Sequence, residues 1–373
     1  MKFVVTSSAI GAKLAAIGKV INSKNALPIL GDIVFEVTSG ELHLMASDGE
    51  IWMQTSMELT EADCDGHFCI GAHDIIEAVK GLSEQPLTFN VDKQKKIVKI
   101  AYLNGKFSLP IDNGDDFPKP MGISGDIQKS IDKGLFNECI SRAHFGCAQD
   151  ELRPVMNGEY IDFTNDFLTI VASDGHKLVL NKLTGIKSET VGSFIMPKKV
   201  VGLLRGTIGR DAGDVLVHFD GRNAKLTYDA ATITFRLIDG RYPNYNSVIP
   251  QGNQNKARVD RVALLSALKH VIYFSNGTSH LVRFHFKDGI IQLDAEDYDF
   301  SKTATETVKC EYDGSELSIG FKGSAFVEIL SNYTCRELVI ELSSPTRAAL
   351  IVPSEQREDC EVVMLIMPML LND

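Results

Sequence analysis

Residues 170–180 read IVASDGHKLVL and residues 44–54 read LMASDGEIWMQ. Each sets an Asp-Gly pair between two apolar runs, the sequence form of a hairpin closed by a tight turn. Asp174-Gly175 lies 126 residues after Asp48-Gly49. Self-similarity at that distance makes the chain a set of copies, and the rest of the sequence can be laid out around it.

In the first copy KFVV opens a strand, and Ile10, Leu14, Ile17 and Ile21 give one apolar face to a helix over 7–22. Strands around DIVFEV and ELHLMA precede the Asp48 turn, and IWMQTSMEL follows it. A second helix, GAHDIIEAVKGL at 71–82, leads to alternating strands LTFNVD, IVKIAYL and KFSLPI. The Gly/Pro-rich stretch NGDDFPKPMGISGD closes the copy. The order recurs with helix 131–146, strands EYIDFT and LTIVAS, the Asp174 turn, helix 196–206 and strands VLVHFD, AKLTYD and TITFRLI. After the linker PQGNQNKAR it recurs again, with helices 260–274 and 322–332 and strands VRFHF, IIQLDAED, LVIEL, AALIV and VVMLIM. The reading is α+β: three similar domains over 1–122, 123–252 and 253–373, each with two helices packed on antiparallel sheets. Units of ~125 residues fold alone, so their repetition serves geometry rather than the mutual support that short solenoid repeats need.

The bulk numbers fit this. In 373 residues, 44% are apolar and 23% charged, as in ordinary folded chains. A net charge of −11 excludes a uniformly basic nucleic-acid binder. The seven cysteines form no CxxC pair and read as reduced thiols, not as a disulfide frame or zinc site. Lys13 and Lys19 interrupt the N-terminal segment before a signal-peptide core develops. The longest apolar run, VVMLIMPMLL at 362–371, is far short of the roughly 20 residues that cross a bilayer. A cytoplasmic protein is expected.

Charge is unevenly spread. The helical windows 7–24, 72–82, 130–147, 197–210, 260–274 and 322–333 hold thirteen Lys/Arg and six Asp/Glu, leaving twenty-five against forty-three elsewhere. If these helices share a face, that face attracts phosphates without reading sequence.

Catalytic chemistry is poorly supported. Ser173, Asp174 and His176 suggest a hydrolase on a three-domain scaffold, but triad members are neighbours in space rather than in sequence, and the first copy has Glu50 where the second has His176. No HExxH, Cys/His zinc spacing or Walker lysine loop occurs, and DAEDYD at 294–299 lacks the EF-hand spacing and glycine. Neither a metal nor a cofactor is expected. The end of the chain is more telling: Pro368 breaks or edges a final strand and leaves Met367, Met369 and Leu370 near the surface. Methionine-rich surfaces suit adaptable binding, here of short peptide tails.

LPILGDI at 27–33, SDGHKL at 173–178, DGRYPNY at 239–245 and IMPML at 366–370, within a triplicated unit, resemble the beta sliding clamps of bacterial DNA polymerase III over the whole chain. The resemblance implies a DNA clamp fold in a head-to-tail homodimeric ring, with helices lining the hole and duplex DNA passing through it. It implies a non-catalytic processivity factor that tethers the replicative polymerase and other proteins and is opened by a clamp-loader ATPase. It points to Lys24, His73, Lys80, Gln149, Arg153, Lys198, Lys199 and Arg205 for sequence-independent contact with double-stranded DNA. It places a partner-peptide groove at Met156, Ser173, Gly175, His176, Lys177, Leu178, Pro243, Val248, Met367, Pro368, Met369 and Leu370. It sets Lys106 and Phe107 against Tyr273, Phe274 and Glu296 of a second copy. Lys177 stands where an arginine is common, Ser247 where some members have arginine, Leu370 where a basic residue is usual, and Asn372-Asp373 are added.

Overall fold

The computed structural model describes residues 1–25, 27–125, 127–186, 191–209 and 211–371. Arg210, counted among the helical charges, and the added Asn372 and Asp373 lie outside the described residues. The first copy runs β1 (Lys2–Thr6), α1 (Ser7–Ile17), β2 (Asp32–Thr38), β3 (Glu41–Ser47), β4 (Ile51–Glu58), β5 (Glu61–Ala62), β6 (Gly66–Gly71), α2 (Ala72–Val79), β7 (Pro86–Asp92), β8 (Ile97–Tyr102) and β9 (Gly105–Pro110). The second runs β10 (Ile127–Asp132), α3 (Lys133–Ala143), β11 (Gly158–Phe163), β12 (Phe167–Ser173), β13 (Lys177–Thr184), β14 (Gly192–Pro197), α4 (Lys198–Arg205), β15 (Asp214–Phe219), β16 (Asn223–Tyr228) and β17 (Ala231–Arg236). The third runs β18 (Asn255–Asp260), α5 (Arg261–Ile272), β19 (Leu281–Lys287), β20 (Ile290–Asp297), β21 (Lys302–Tyr312), β22 (Leu317–Lys322), α6 (Gly323–Ser331), β23 (Glu337–Leu342), β24 (Ala349–Pro353) and β25 (Cys360–Ile366).

One pairing rule governs all three copies. The first strand pairs with the strand after the second helix, as β1 with β7, β10 with β15 and β18 with β23. The hairpin set before the second helix takes the strand leading into that helix, as β2 with β6, β11 with β14 and β19 with β22. Every strand pairing among the described residues is antiparallel, so neighbouring strands can be joined by short connections.

The chain divides into two compact units, residues 1–137 with 202–237 and residues 138–201 with 238–373. The middle copy is therefore shared between them. In the first unit β17 continues the sheet onto β4 with Ile233 opposite Met53, giving the order β10-β15-β16-β17-β4-β3-β2-β6 beside a separate sheet β5-β1-β7-β8-β9. In the second unit β25 pairs with β13 from Lys177 opposite Ile366 to Leu183 opposite Cys360, within the order β14-β11-β12-β13-β25-β24-β23-β18-β21-β20-β19-β22.

Helix α1 buries Ser7, Ile10, Leu14 and Ile17, the face expected from their spacing, and continues into one 3-10 turn over Gly18–Val20. At Gly18 a Cβ would lie 2.6 Å from Ile76 Cδ1 of α2, so a larger residue would have to turn that side-chain tip aside. Below these helices Phe3 stacks on Phe89 at 4.6 Å and Phe35 on Phe68 at 5.4 Å. In the second unit Phe284 stacks on Phe326 at 4.8 Å, with Phe321 edge-on at 5.2 Å. The Asp260 carboxylate accepts the Val262 and Ala263 amides at 2.9 Å and so starts α5. A cap of that kind contributes about 1 kcal/mol.

Candidate binding surfaces

The Asp-Gly turn that organises the sequence is a self-bonded loop. The Asp174 carboxylate accepts the His176 and Lys177 amides at 2.9 Å each, Ser173 Oγ accepts the Gly175 amide at 3.1 Å, and Ser173 Oγ donates to the Lys177 carbonyl at 2.8 Å. Gly175 sits at φ +90°, a backbone conformation that a side chain opposes. These bonds consume the groups a triad would use. Ser173 serves the backbone, Asp174 serves two amides, and the His176 ring is exposed.

The Lys177 side chain is mostly buried between two carboxylates, Asp174 at 3.0 Å and Glu328 of α6 at 3.1 Å. Burial opposes its charge, but the two carboxylates outweigh that and hold the ammonium above its ordinary range. Lys177 therefore arrives at the surface already neutralised. Arg153, expected to face DNA, lies beside this turn. Its Nε donates to Asp150 at 2.8 Å, one Nη reaches the Asp174 carbonyl at 3.4 Å, and a Cβ on Gly175 would sit 2.9 Å from the other.

Behind the turn lies an apolar floor: Val171, Leu178, Leu180, Ile195, Tyr242, Leu350 and Leu365, with half-buried Val155, Tyr160, Tyr245 and Ile249 packed on it. Tyr160 and Tyr242 stack at 4.9 Å. The tail crosses the same unit. The Met367 amide donates to the His176 carbonyl at 2.8 Å, and the Met369 amide donates to the Gly320 carbonyl at 2.8 Å. Strand β25 stops at Ile366, as the proline two residues later requires. Met367 is 41% exposed, Val248 52% and Leu370 79%, and Pro243 is also exposed; Met156 is buried, while Pro368 and Met369 are half-buried. Ser173, Gly175, His176, Lys177, Leu178 and Met367 are thus joined by backbone bonds and strand pairing. Tyr242, Tyr160, Val155 and Glu328 went unrecognised in the sequence. The aromatic spacing of DGRYPNY signals Tyr242, whereas nothing local signals Val155 or Glu328.

The basic residues are less uniform than the sequence count suggests. Within the described α-helices stand eight Lys/Arg against four Asp/Glu, because Lys19, Lys24, Lys80, Lys322, Asp132 and Asp260 fall outside the helix boundaries and Arg210 outside the described residues. Three of the eight serve the interior. Lys133 is fully buried and bonds Asp229 at 2.8 Å and Asp211 at 3.0 Å. Arg142 bonds Asn181 and Glu138, and Arg261 donates to the Cys335 and Leu330 carbonyls. Lys198 is half-buried, with Nζ on the Cys147 carbonyl at 3.1 Å, and Lys199 is half-buried beside it in α4. In the first unit Lys24, His73 and Arg205 are exposed, and exposed Lys80 pairs with Glu77 at 2.9 Å. Gln149 is exposed in the second unit.

Lys106 and Phe107 lie on β9, which forms an edge of its sheet. Tyr273 follows α5 and is 74% exposed, with Phe274 edge-on at 5.4 Å. Nearby Lys302 lies over both Tyr273 and Phe300, and Tyr298 donates to Glu296.

Residues 1–121, 130–244 and 246–370 match the N-terminal, central and C-terminal domains of the DNA polymerase III beta subunit. The chain belongs to the DNA polymerase III beta subunit family. It is 26% identical over 366 residues to a beta sliding clamp of Pseudomonas putida, covering 98% of this chain and 99% of that one. It is 25% identical to one of Proteus mirabilis over the full length of both. A DnaN sliding clamp of Pseudomonas aeruginosa bound to griselimycin superposes with a TM-score of 0.94 at 25% identity, each chain fully covered. The beta subunit of Thermotoga maritima, 23% identical with a TM-score of 0.91, shares the fold. The function is that of a sliding clamp, a non-catalytic processivity factor of DNA polymerase, with DNA and polymerase as the partners the family implies. The hydrolase reading of Asp174 and His176 falls with it. No helix among the described residues is long and apolar enough to cross a membrane.

Proposed function

We propose that the chain acts as a head-to-tail homodimeric ring around duplex DNA, with three clamp domains per subunit bounded near 122 and 252 and helices facing the hole. The observation carrying this is a pair of open strand edges. The last strand of the second copy pairs with β4 and the last strand of the third with β13. By the same rule β9, the last strand of the first copy, requires the equivalent of β4 and β13, which is β21. Along Lys302–Lys309, β21 has β20 on one side, and β18 reaches only Cys310–Tyr312. Two copies related by a two-fold axis would satisfy both edges twice, bringing Lys106 and Phe107 of one against Tyr273, Phe274 and Glu296 of the other.

In this reading Lys24, His73, Lys80, Gln149, Lys198, Lys199 and Arg205 contact phosphates of the enclosed duplex, without sequence preference. A clamp-loader ATPase opens the ring. The strip from Met156 and Ser173 through Gly175, His176, Lys177, Leu178, Pro243 and Val248 to Met367, Pro368, Met369 and Leu370 receives partner tails carrying glutamine and large apolar residues. Arg153 joins that strip rather than the DNA set, since it is bonded to the Asp174 carbonyl. Two strips per ring raise the effective concentration of partners. The test is topological. Loaded onto a nicked circle, the protein should persist through gel filtration and be lost when the circle is cut once. Equal retention on linear and circular DNA would refute the ring.

A further inference from the structure

We propose that Cys139 and Cys360 form a dithiol that hydroperoxides convert to a disulfide between α3 and β25. Their sulfur atoms are 3.8 Å apart although 221 residues separate them in sequence, and both residues are buried. A disulfide needs about 2 Å, so the two sulfurs must close by roughly another 2 Å.

The surroundings make the pair asymmetric. One turn along α3 from Cys139 the Arg142 guanidinium, itself nearly buried, donates to Asn181 Oδ1 at 2.7 Å and pairs with Glu138. Asn181 in turn donates to the Cys139 carbonyl at 3.3 Å, and Arg357 reaches Glu138 at 3.0 Å. The contact with the Cys139 thiol, in which either sulfur can donate, and the field of Arg142 together bring the Cys360 thiol below the ordinary range despite burial. Cys139 is pushed up by the same contact with Cys360 and by burial. The other five run the opposite way to Cys360. Burial raises Cys69, Cys147, Cys310 and Cys335, and hydrogen bonding to Asp63 raises exposed Cys64. The sulfur–sulfur approach, together with the pull of Arg142 toward a thiolate at Cys360, therefore sets this pair apart from Cys64, which has no cysteine neighbour among the described residues and whose thiol is raised.

The chemistry balances with the hydroperoxide as sole oxidant. The Cys360 thiolate attacks one peroxide oxygen, breaking the O–O bond, and with one proton gives Cys360 sulfenic acid and water (or an alcohol). The Cys139 sulfur then displaces the sulfenic oxygen, its own proton leaving with that oxygen as a second water, and the S–S bond forms. Two thiols are oxidised by two electrons and one peroxide is reduced. The product fastens α3 to the first residue of β25, the strand that pairs with β13 and runs into the Met367 tail.

The experiment treats the intact native protein with hydrogen peroxide, quenches with an alkylating agent in denaturant, and maps the seven cysteines by peptide mass spectrometry. The expected product is a Cys139–Cys360 cross-linked peptide that accumulates while Cys64 remains alkylatable, is reversed by dithiothreitol, and raises the Tm. In Cys139→Ser, Cys360 should be trapped as a sulfenic acid adduct with a dione probe. In Cys360→Ser, Cys139 should stay reduced. Oxidation of Cys64 with Cys139 and Cys360 still free, or conversion of Cys360 to sulfinic acid without cross-linking in the wild type, would overturn the proposal. The wild-type result does not depend on either variant folding.

Discussion

Replacing Glu328 with glutamine separates two roles for Lys177 that predict effects of opposite sign. The Lys177 ammonium lies 3.0 Å from Asp174 and 3.1 Å from Glu328, with the lysine side chain 12% and the glutamate 50% exposed. At 3.1 Å a unit pair is worth about 1 kcal/mol in water and about 5 kcal/mol at an effective dielectric of 20. The half-exposed glutamate places the pair near the watery limit, and Asp174 stays to hold the charge, so about 1 kcal/mol is at stake. If Glu328 fixes Lys177, and through Asp174 the whole 173–177 turn, the substitution should weaken an extended peptide by up to about five-fold. The loss should be the same for tails with and without an acidic residue. If Lys177 instead reads a peptide carboxylate, removing a competing carboxylate should tighten acidic tails and leave neutral ones alone. Fluorescence anisotropy with a matched pair of labelled peptides, repeated at low and high salt, reads both. Tighter binding of the acidic peptide to Glu328→Gln would refute the positioning role.

Two further outcomes follow from other parts of the fold. Burial, with the nearby carboxylates of Asp112 and Asp74, raises Asp32 from 3.8 to about 6. The folded state then holds a proton that the unfolded chain releases, so this group lowers stability as pH rises from about 4 through about 6. The shift corresponds to roughly 3 kcal/mol undiscounted, but a half-exposed carboxylate is screened, so Asp32→Asn should stabilise by about 1 kcal/mol at pH 8 and by almost nothing at pH 4. Denaturant titration at both values checks this, and a gain at pH 4 that vanishes at pH 8 contradicts the sign. Phe107→Asp places a charge on the open edge of β9 and should give monomers by sedimentation with the Tm of the first unit unchanged. A dimer that persists at every concentration would move the seam elsewhere.

The pieces legible in the sequence are those whose signal is local. The Asp-Gly turns announced the period, and the i, i+3/i+4 spacing of Ile10, Leu14 and Ile17 announced α1. The position of Pro368 fixed where β25 stops. What was not legible depends on distant partners. Lys133 counts as a surface charge in any window of sequence, yet Asp211 and Asp229 take it inside, so the helical charge excess shrinks for reasons no window contains. The placement of Arg153 beside the turn is likewise non-local: Gly175, 22 positions away, leaves room for its guanidinium. The pairing of Lys177 with Glu328, 151 positions away, is also invisible in the sequence around either residue.

Strands β6, β10, β14, β18, β21 and β22 are absent from the reading of the sequence, with β18 lying largely in the stretch taken for the second linker, and of these β21 is the most instructive. KTATETVKCEY carries little apolar periodicity, and β21 buries only Val308 along its length. Its topological equivalents do not look like this: β4 buries four of its eight residues and β13 five of eight, and each is covered by a strand of the following copy. The partner strands divide in the same way. β17 and β25 are largely buried, whereas no residue of β9 is. Position in the repeat is the same, so exposure must track whether the chain itself supplies the neighbour. A long open edge invites indiscriminate pairing unless something covers it or charge blunts it. Here β21 is studded with Lys302, Glu306, Lys309 and Glu311, and β9 with Lys106 alone, which suits a selective partner better than none. In the proposed dimer a second copy would offer the missing edge at each end, and the polar sequence that hides β21 from a reading based on burial would then follow from its cover coming from another chain.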